Sequence, residues 1–312
     1  MQANLFGELR QPLVVAYGMG VDSTAVLVRF VQLGIRPDLI LFANVGGEKR
    51  QTYQYLPVIN AYLEFHDYPT VTEVRYIPKN FKNWPAYYTL EQNCLTNGTL
   101  PSISFSFQFK SCSQKWKAAP QHKFLQSWTP AVEYWAAGGR VKKVIGYDAG
   151  VKDRKRLTYA CNGEVEDERY EYWYPLSEWG WDRDRCIREI RGAGLPVPPK
   201  SSCYFCAAMQ PAEVDALDPD YLAGIVRLEA RARPRFQKIK GLWGRDSRKR
   251  PGSMTEYIRA KGLLPEAEVD RIIAETPKDI MKYQDSFQRG ESVEPFGVFI
   301  ERQLVQIQSA TV

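Results

Sequence analysis

The sequence predicts an α/β protein: an open, mostly parallel, twisted sheet with helices on both faces, followed by a helical C-terminal region. Two observations predict it. Over roughly the first 150 residues, short and continuously apolar runs alternate with longer segments of helical spacing. Strands buried on both faces read that way, and parallel neighbours need a crossover that a helix supplies. Beyond Pro211 the periodicity is mostly helical.

Leu13 to Tyr17 (LVVAY) is the first strand, and a glycine-containing loop follows it. Ser23 to Leu33 then places Val26, Leu27, Phe30 and Leu33 at helical spacing, with Gly34 as its stop. Leu39 to Ala43 (LILFA) is the second buried strand, closed by the loop Asn44-Val45-Gly46-Gly47-Glu48. Gln51 to Phe65 continues as a helix, and Val71 to Ile77 alternates in part like a third strand. Pro78 to Gln108, aromatic and small-polar, reads as an irregular insertion. Ser113 to Tyr134 is helical with interruptions near Pro120 and Pro130, and Val141 to Gly146 is a further strand. A charged excursion runs from Asp153 to Glu171 and ends in Tyr172 to Leu176. Asp182 to Ala193 is a helix with Asp182 available as its cap. Helices follow over Ala212–Leu217, Tyr221–Arg231, Ser253–Lys261 and Pro265–Glu275. The expected domains are 1–215, a nucleotide-binding α/β domain with a cysteine metal site, and 216–312, a helical and basic region.

At 312 residues the chain is long enough for a substantial core, and its 44% hydrophobic content excludes a disordered or fibrous protein. No apolar run reaches the roughly 18 to 20 residues that span a bilayer, and the opening MQANLFGELRQPL lacks the regions of a secretion signal. A cytoplasmic location without membrane contact is expected. The net charge of +6 permits phosphate-rich partners without requiring them. Six scattered cysteines are too few for a disulfide framework, and two histidines, His66 and His122, leave no room for a histidine-rich metal centre.

The segment Tyr17-Gly18-Met19-Gly20-Val21-Asp22-Ser23-Thr24 lies between a buried strand and an amphipathic helix. Its backbone amides, the positive end of the helix and the hydroxyls of Ser23 and Thr24 form an anion site. A Walker A loop is excluded because the segment has no lysine. A dinucleotide GxGxxG starts at Gly18 and Gly20 but carries Ser23 at its third position, which crowds helix-to-strand packing. A ligand-free glycine turn is the remaining alternative.

The segment resembles the SGGxDS pyrophosphate-binding loop of the PP-loop ATP pyrophosphatases, in the branch of phosphoadenosine-phosphosulfate reductase-like proteins. It matches at Gly20, Asp22 and Ser23 and departs at Gly18 and Met19. Asn44-Val45-Gly46-Gly47-Glu48 is similar to the family's DTGGE segment. Cys112 to Lys117 followed by Pro120 resembles its cysteine-and-lysine segment, and Ile145-Gly146-Tyr147-Asp148 with Arg154 its glycine-and-arginine strand end. These matches span roughly residues 13 to 215, and their order carries the assignment. The resemblance implies an adenine nucleotide alpha hydrolase-like fold and, beyond the loop itself, nucleotide contacts at Asn44, Gly46, Gly47, Glu48, Gly146 and Tyr147. It further implies ATP with Mg²⁺, split between the α and β phosphates to adenylate a substrate. Asp22, Ser23, Lys115 and Arg154 are the candidate catalytic residues. Asp22 could approach the metal or merely cap the helix, and Lys115, Lys117 and Arg154 could hold phosphate charge or sit as solvated surface cations.

Cys203-Tyr204-Phe205-Cys206 lets two thiolates reach one metal, and Cys112 and Cys186 bring the ligand count to four. The resemblance implies that these four act together, leaving Cys94 and Cys161 aside. Both a four-iron cluster (4Fe-4S) and a tetrahedral Zn²⁺ use four cysteines, and a metal-free redox pair is the third reading.

Ten basic residues occupy 227–250, among them Arg233, Arg235, Lys238, Arg245, Arg248 and Lys249, with Phe236 and Trp243 interleaved. The stretch suits a phosphate backbone with stacked bases, or a solvated surface. No cysteine follows Cys206, so the mobile C-terminal nucleophile of the family's sulfonucleotide reductases has no counterpart here. The expected function is therefore an ATP-dependent adenylating transferase that modifies a nucleic acid or delivers sulfur to it, with a sulfur donor protein as partner. The alternatives are a reductase of altered mechanism and a nucleotide-binding scaffold without turnover.

Overall fold

The structure, a computed structural model, describes residues 9–101, 111–161 and 167–290, without the side chains of 152 and 159–161. The chain forms two compact units. The first comprises Met1–Ala43, Arg50–Val74 and Ala119–Ser201, and the second Asn44–Lys49, Arg75–Ala118 and Ser202–Val312.

The first unit carries the predicted α/β architecture. Strands β1 (Leu13–Ala16), β2 (Leu39–Asn44), β3 (Val71–Arg75), β4 (Val141–Ile145) and β5 (Tyr170–Trp173) form an all-parallel sheet in the order β3-β2-β1-β4-β5. Val14 of β1 lies opposite Leu39 on one side and Lys143 on the other. β2 is buried throughout, whereas the edge strand β3 has a single buried residue, Val74, as expected where one side lacks a neighbour. Between β1 and β2 runs α1 (Val21–Leu33), which Gly34 ends in the left-handed conformation with its amide on the carbonyls of Phe30 and Val31. Helix α2 (Arg50–Phe65) joins β2 to β3.

Helix α3 (Leu90–Asn97) lies within the stretch expected to be irregular, whose residues 102–108 fall outside the described ones. Its signal is local: Thr89 and Gln92 form a reciprocal capping box, each side chain bonding the other's backbone. A π-helical turn (Ser113–Ala118) leads into α4 (Ala119–Leu125) and α5 (Thr129–Ala136). The α-helical pattern is interrupted just before Pro120 by the π-helical turn, where a wider turn accommodates a residue with no amide to donate, and the chain breaks at 126–128, ahead of Pro130. The charged excursion contains α6 (Val151–Cys161). After β5 come α7 (Pro175–Glu178) and α8 (Arg183–Gly192), where Asp182 caps as predicted, accepting from the Arg185 amide at 2.8 Å. Helices α1 and α8 pack together.

The second unit is helical: α9 (Pro211–Asp215), α10 (Pro219–Ala232), a 3-10 turn (Arg233–Arg235), α11 (Met254–Lys261), α12 (Glu266–Glu275) and α13 (Ile280–Gln288). α10 is its axis, burying Tyr221, Leu222, Ile225, Val226 and Leu228. Each such side chain contributes about 1.5–3 kcal/mol by burial. Two charges within α10 serve this core. Arg231 donates to the carbonyls of Leu95 and Thr96, closing the C-terminal end of α3. The Glu229 carboxylate accepts from the amides of Leu242, Met254 and Thr255 and from the Ser253 hydroxyl, fixing the chain that precedes α11. No helix among the described residues is long and apolar enough to cross a membrane.

Candidate functional site

In the first unit the strand order reverses between β1 and β4, so the carboxyl ends of these two strands flank the crevice where open α/β sheets bind ligands. The loop Tyr17–Gly20 leaves β1 there. Tyr17 is buried, its hydroxyl 3.0 Å from Thr24 Oγ1, and burial holds its phenol far above the usual range. Ser23 Oγ accepts from the Gly18 amide and donates to the Gly20 carbonyl, both at 3.2 Å, which folds the loop onto the helix. The first intrahelical bond is Thr24 N to Gly20 O, so the amides of Gly20, Val21, Asp22 and Ser23 form the open end of α1. Met19, fully buried, adopts a φ of 57°, the left-handed conformation natural to the glycine that the resembled motif carries there.

From β4 the chain enters Gly146-Tyr147-Asp148. A Cβ on Gly146 would lie 2.9 Å from the Ser23 amide nitrogen, so glycine lets this strand end meet the first turn of α1. Tyr147 stacks on Tyr174, with ring centroids 5.6 Å apart. Asp148 turns the chain by accepting from the Gly150 amide at 2.8 Å, and its own amide donates to Asp153.

These turns bring Asp22, Asp148 and Asp153 together, with carboxylate oxygens within 4.8 Å of one another. Burial raises the Asp22 carboxyl to about 6; Arg183 opposes that, and the charges of Asp148 and Asp153 reinforce it. The Arg183 guanidinium donates to both Asp22 oxygens at 3.1 Å. Oxygens that share a Mg²⁺ octahedron with bonds of about 2.1 Å lie about 3.0 to 4.2 Å apart, so the three carboxylates are the hard oxygen donors such a cation takes, at a spacing whose 4.8 Å limit includes that range, while Arg183 and Arg156 now balance the charge of Asp22 and Asp153. Arg154, the other candidate of this unit, is exposed on α6. Cys186 is buried on α8, its thiol pushed up to about 12 by burial and then by Asp22 and Asp148.

The remaining predicted residues lie in the second unit. Asn44 Oδ1 accepts from the Gly46 amide at 2.8 Å. Gly46 has a φ of 66° against the Thr89 side chain, where no Cβ would fit. Gly47 accepts from the Tyr204 amide, and Glu48 forms a β-bridge with Cys203. Glu48, almost fully buried, pairs with Lys117 at 2.8 Å, and the Glu48 charge raises the lysine's pKa against its burial. Lys115 lies over the Tyr76 ring at 5.1 Å. Cys203 and Cys206 form a tight turn, Cys206 N to Cys203 O at 3.1 Å; Cys94 and Cys203 are buried in one apolar core, against which the half-buried Cys112 and Cys206 pack. Burial raises the Cys203 and Cys94 thiols.

Of the four predicted cysteine ligands, Cys186 belongs to the first unit and Cys112, Cys203 and Cys206 to the second, whose core also contains Cys94. Among the described residues no cysteine belongs to a group of three ligand atoms within 4.8 Å. Thiolates around one Zn²⁺ with bonds of about 2.3 Å stand about 3.8 Å apart, so this arrangement does not fit a zinc ion; a cluster interposing iron and sulfide holds thiolates more widely. The Cys161 side chain lies outside the described residues. Asp148, Asp153 and Arg183, which the structure gathers around Asp22, and Cys94, which shares a core with Cys203, were not among the candidate residues singled out from the sequence. Asp148 and Asp153 stand near a run of basic residues that reads equally well as a solvated face, and Cys94 has no neighbouring cysteine in sequence. Comparison with known protein families, with curated proteins and with solved structures finds no match to the chain.

Proposed function

We propose that the chain is an ATP-dependent PP-loop enzyme that binds a magnesium nucleotide at the β1–β4 crevice and splits it between the α and β phosphates. One observation carries the reading: the open amide end of α1 and the Asp22–Asp148–Asp153 trio meet at the point where the strand order reverses. Amides at a helix start suit polyphosphate, and three carboxylates suit the cation that accompanies it. The first-turn amides of α1 hold the anion, Gly146 lets the end of β4 approach that turn, and Asp22, Asp148 and Asp153 would hold Mg²⁺. That cation would supply charge neutralisation for the departing pyrophosphate. The product is an adenylated substrate, for which the basic 227–250 segment favours a nucleic acid. The thiols of Cys94, Cys112, Cys203 and Cys206 suit an iron-sulfur centre serving sulfur delivery.

A second reading, nucleotide binding without turnover, is favoured by the Arg183 guanidinium, which engages both oxygens of Asp22. Pyrophosphate release from ATP in the presence of oligonucleotide as adenylyl acceptor, measured with and without Mg²⁺ beside calorimetric ATP binding, tests both. Magnesium-dependent release supports the enzyme, binding without release supports the second reading, and absence of both overturns the site. Iron, zinc and acid-labile sulfide on anaerobically purified protein test the cysteines. Iron with sulfide should be lost in Cys203→Ala and Cys94→Ala and kept in Cys186→Ala; stoichiometric zinc without sulfide would refute the cluster.

A further inference from the structure

The basic segment of the second unit surrounds a cavity that the nucleotide chemistry does not use. It has a volume of about 230 Å³ and is lined by Leu100, Arg235, Phe236, Ile239, Leu242 and Trp243, among others. That is below the roughly 300–1,000 Å³ of pockets enclosing drug-sized ligands, and leaves room for one planar ring system. Its wall is held rigidly. Glu229 binds the Leu242 amide at 2.7 Å, Trp243 N donates to Gly252 O at 2.9 Å, and the Trp243 indole donates to Met209 O at 2.9 Å.

The charges around it divide into two groups. Arg231 is buried on α3 carbonyls, Arg250 packs over Trp243 at 4.6 Å, and Lys240 pairs with Asp246 at 2.8 Å. Arg233, Arg235, Lys238, Arg245, Arg248 and Lys249 are exposed. Of the acids beside these cations, Glu229 is internal, Asp246 is engaged by Lys240, and Glu256 acts on that same lysine, so the six exposed cations outnumber the acids near them. The outer surface is therefore strongly cationic beside an aromatic recess. A polyanion with flat apolar rings matches it, and a duplex does not, since its bases are stacked inside the helix and cannot enter a recess.

We propose that this cavity seats a base of single-stranded nucleic acid, with Phe236 as its stacking face and the exposed cations of 233–249 along the phosphate backbone. The inference rests on the nucleic-acid part of the proposed function and assigns that substrate its docking surface and its strand state. Single strands lose affinity with a slope of about −0.7 per phosphate in log[salt], so four contacts give a slope of about −3 and about 50-fold weaker binding at 200 mM than at 50 mM salt.

The test is fluorescence anisotropy of the full chain, without ATP, using labelled 20-mer oligo(dT), oligo(rU) and a duplex of equal length. Both single strands should bind at least tenfold more tightly than the duplex. Phe236→Ala should weaken them at least about 5-fold with the salt slope unchanged, the lower end of the about 5- to 150-fold range of one lost base stack. Arg245→Glu with Arg248→Glu and Lys249→Glu should reduce the slope by about 2, while Lys278→Glu with Lys282→Glu, on the same unit, should leave it unchanged. Equal or tighter duplex binding, equal loss in the control pair, no binding at 50 mM salt, or equal competition by a polyglutamate peptide would each overturn the proposal. Because ATP is absent, failure of pyrophosphate release leaves this result unmoved; release without oligonucleotide binding overturns this inference alone.

Discussion

Met19 sets two opposing terms against each other, and a pair of substitutions separates them. The side chain is fully buried, and a buried methionine cut to alanine destabilises by about 2–5 kcal/mol. The residue also sits at a φ of 57°, which strains an L-residue by about 1–2 kcal/mol. Met19→Ala loses the burial beyond Cβ and keeps the strain; Met19→Gly also loses the Cβ but relieves the strain. At an ordinary helical or extended position glycine is less stable than alanine by about 0.5–1 kcal/mol, so here the order should invert, with Met19→Gly the more stable by about 0.5–1 kcal/mol. For a unit of this size each kcal/mol moves the melting temperature by about 2–4 °C. Met19→Ala should therefore melt about 5–15 °C below the natural chain and Met19→Gly about 1–4 °C above Met19→Ala. Thermal unfolding followed by circular dichroism, checked by urea titration, measures both. Met19→Ala equal to or more stable than Met19→Gly would refute the argument from backbone strain.

Three further outcomes are expected. Magnesium and nucleotide binding should weaken as pH falls through about 6, where the Asp22 carboxyl takes up its proton, and Asp22→Asn should abolish the magnesium dependence; calorimetry at pH 5 and 8 checks this, and equal affinity at both would count against the trio. Lys143, buried on β4 with its ammonium 5.3 Å from the Tyr170 ring, has a pKa lowered by burial to about 8 from 10.5. Between these values the unfolded chain holds a proton the folded one lacks, so stability should rise with pH from about 8 to 10.5, and Lys143→Met should remove that slope and raise the melting temperature at pH 7. Glu229→Gln turns an amide NH₂ toward donors that now meet a carboxylate oxygen and should destabilise the second unit by about 3–5 kcal/mol; a loss under 1 kcal/mol in urea unfolding would show that the four bonds do not anchor this chain.

The strands and long helices were legible because burial on both faces leaves a continuous apolar run and a crossover helix leaves a 3.6-residue period. α3 escaped that reading although Thr89 and Gln92 announce it, because eight residues give too few turns for periodicity to register. α6 escaped because its polar residues carry no apolar stripe. The loop Tyr17–Thr24 was legible as a strand-to-helix turn that leaves helix amides open, from its place between an apolar run and an amphipathic segment. Its left-handed Met19 was not, since a backbone angle is fixed by packing on both sides of the loop.

By itself the sequence determined the parallel α/β class, the strand-loop-helix that opens the α1 amides, and a cation-rich segment beside two aromatic residues. Those are local properties, set by period, turn chemistry and charge within one stretch of chain. The tertiary structure alone decided which side chains meet. It gathers Asp22, Asp148 and Asp153 across 131 residues because β1 and β4 are neighbours in the sheet. It also places Cys94 and Cys203 in one core, with Cys112 and Cys206 packed against it, while Cys186 packs near Asp22. Sheet order and core packing bring together residues that no spacing along the chain connects.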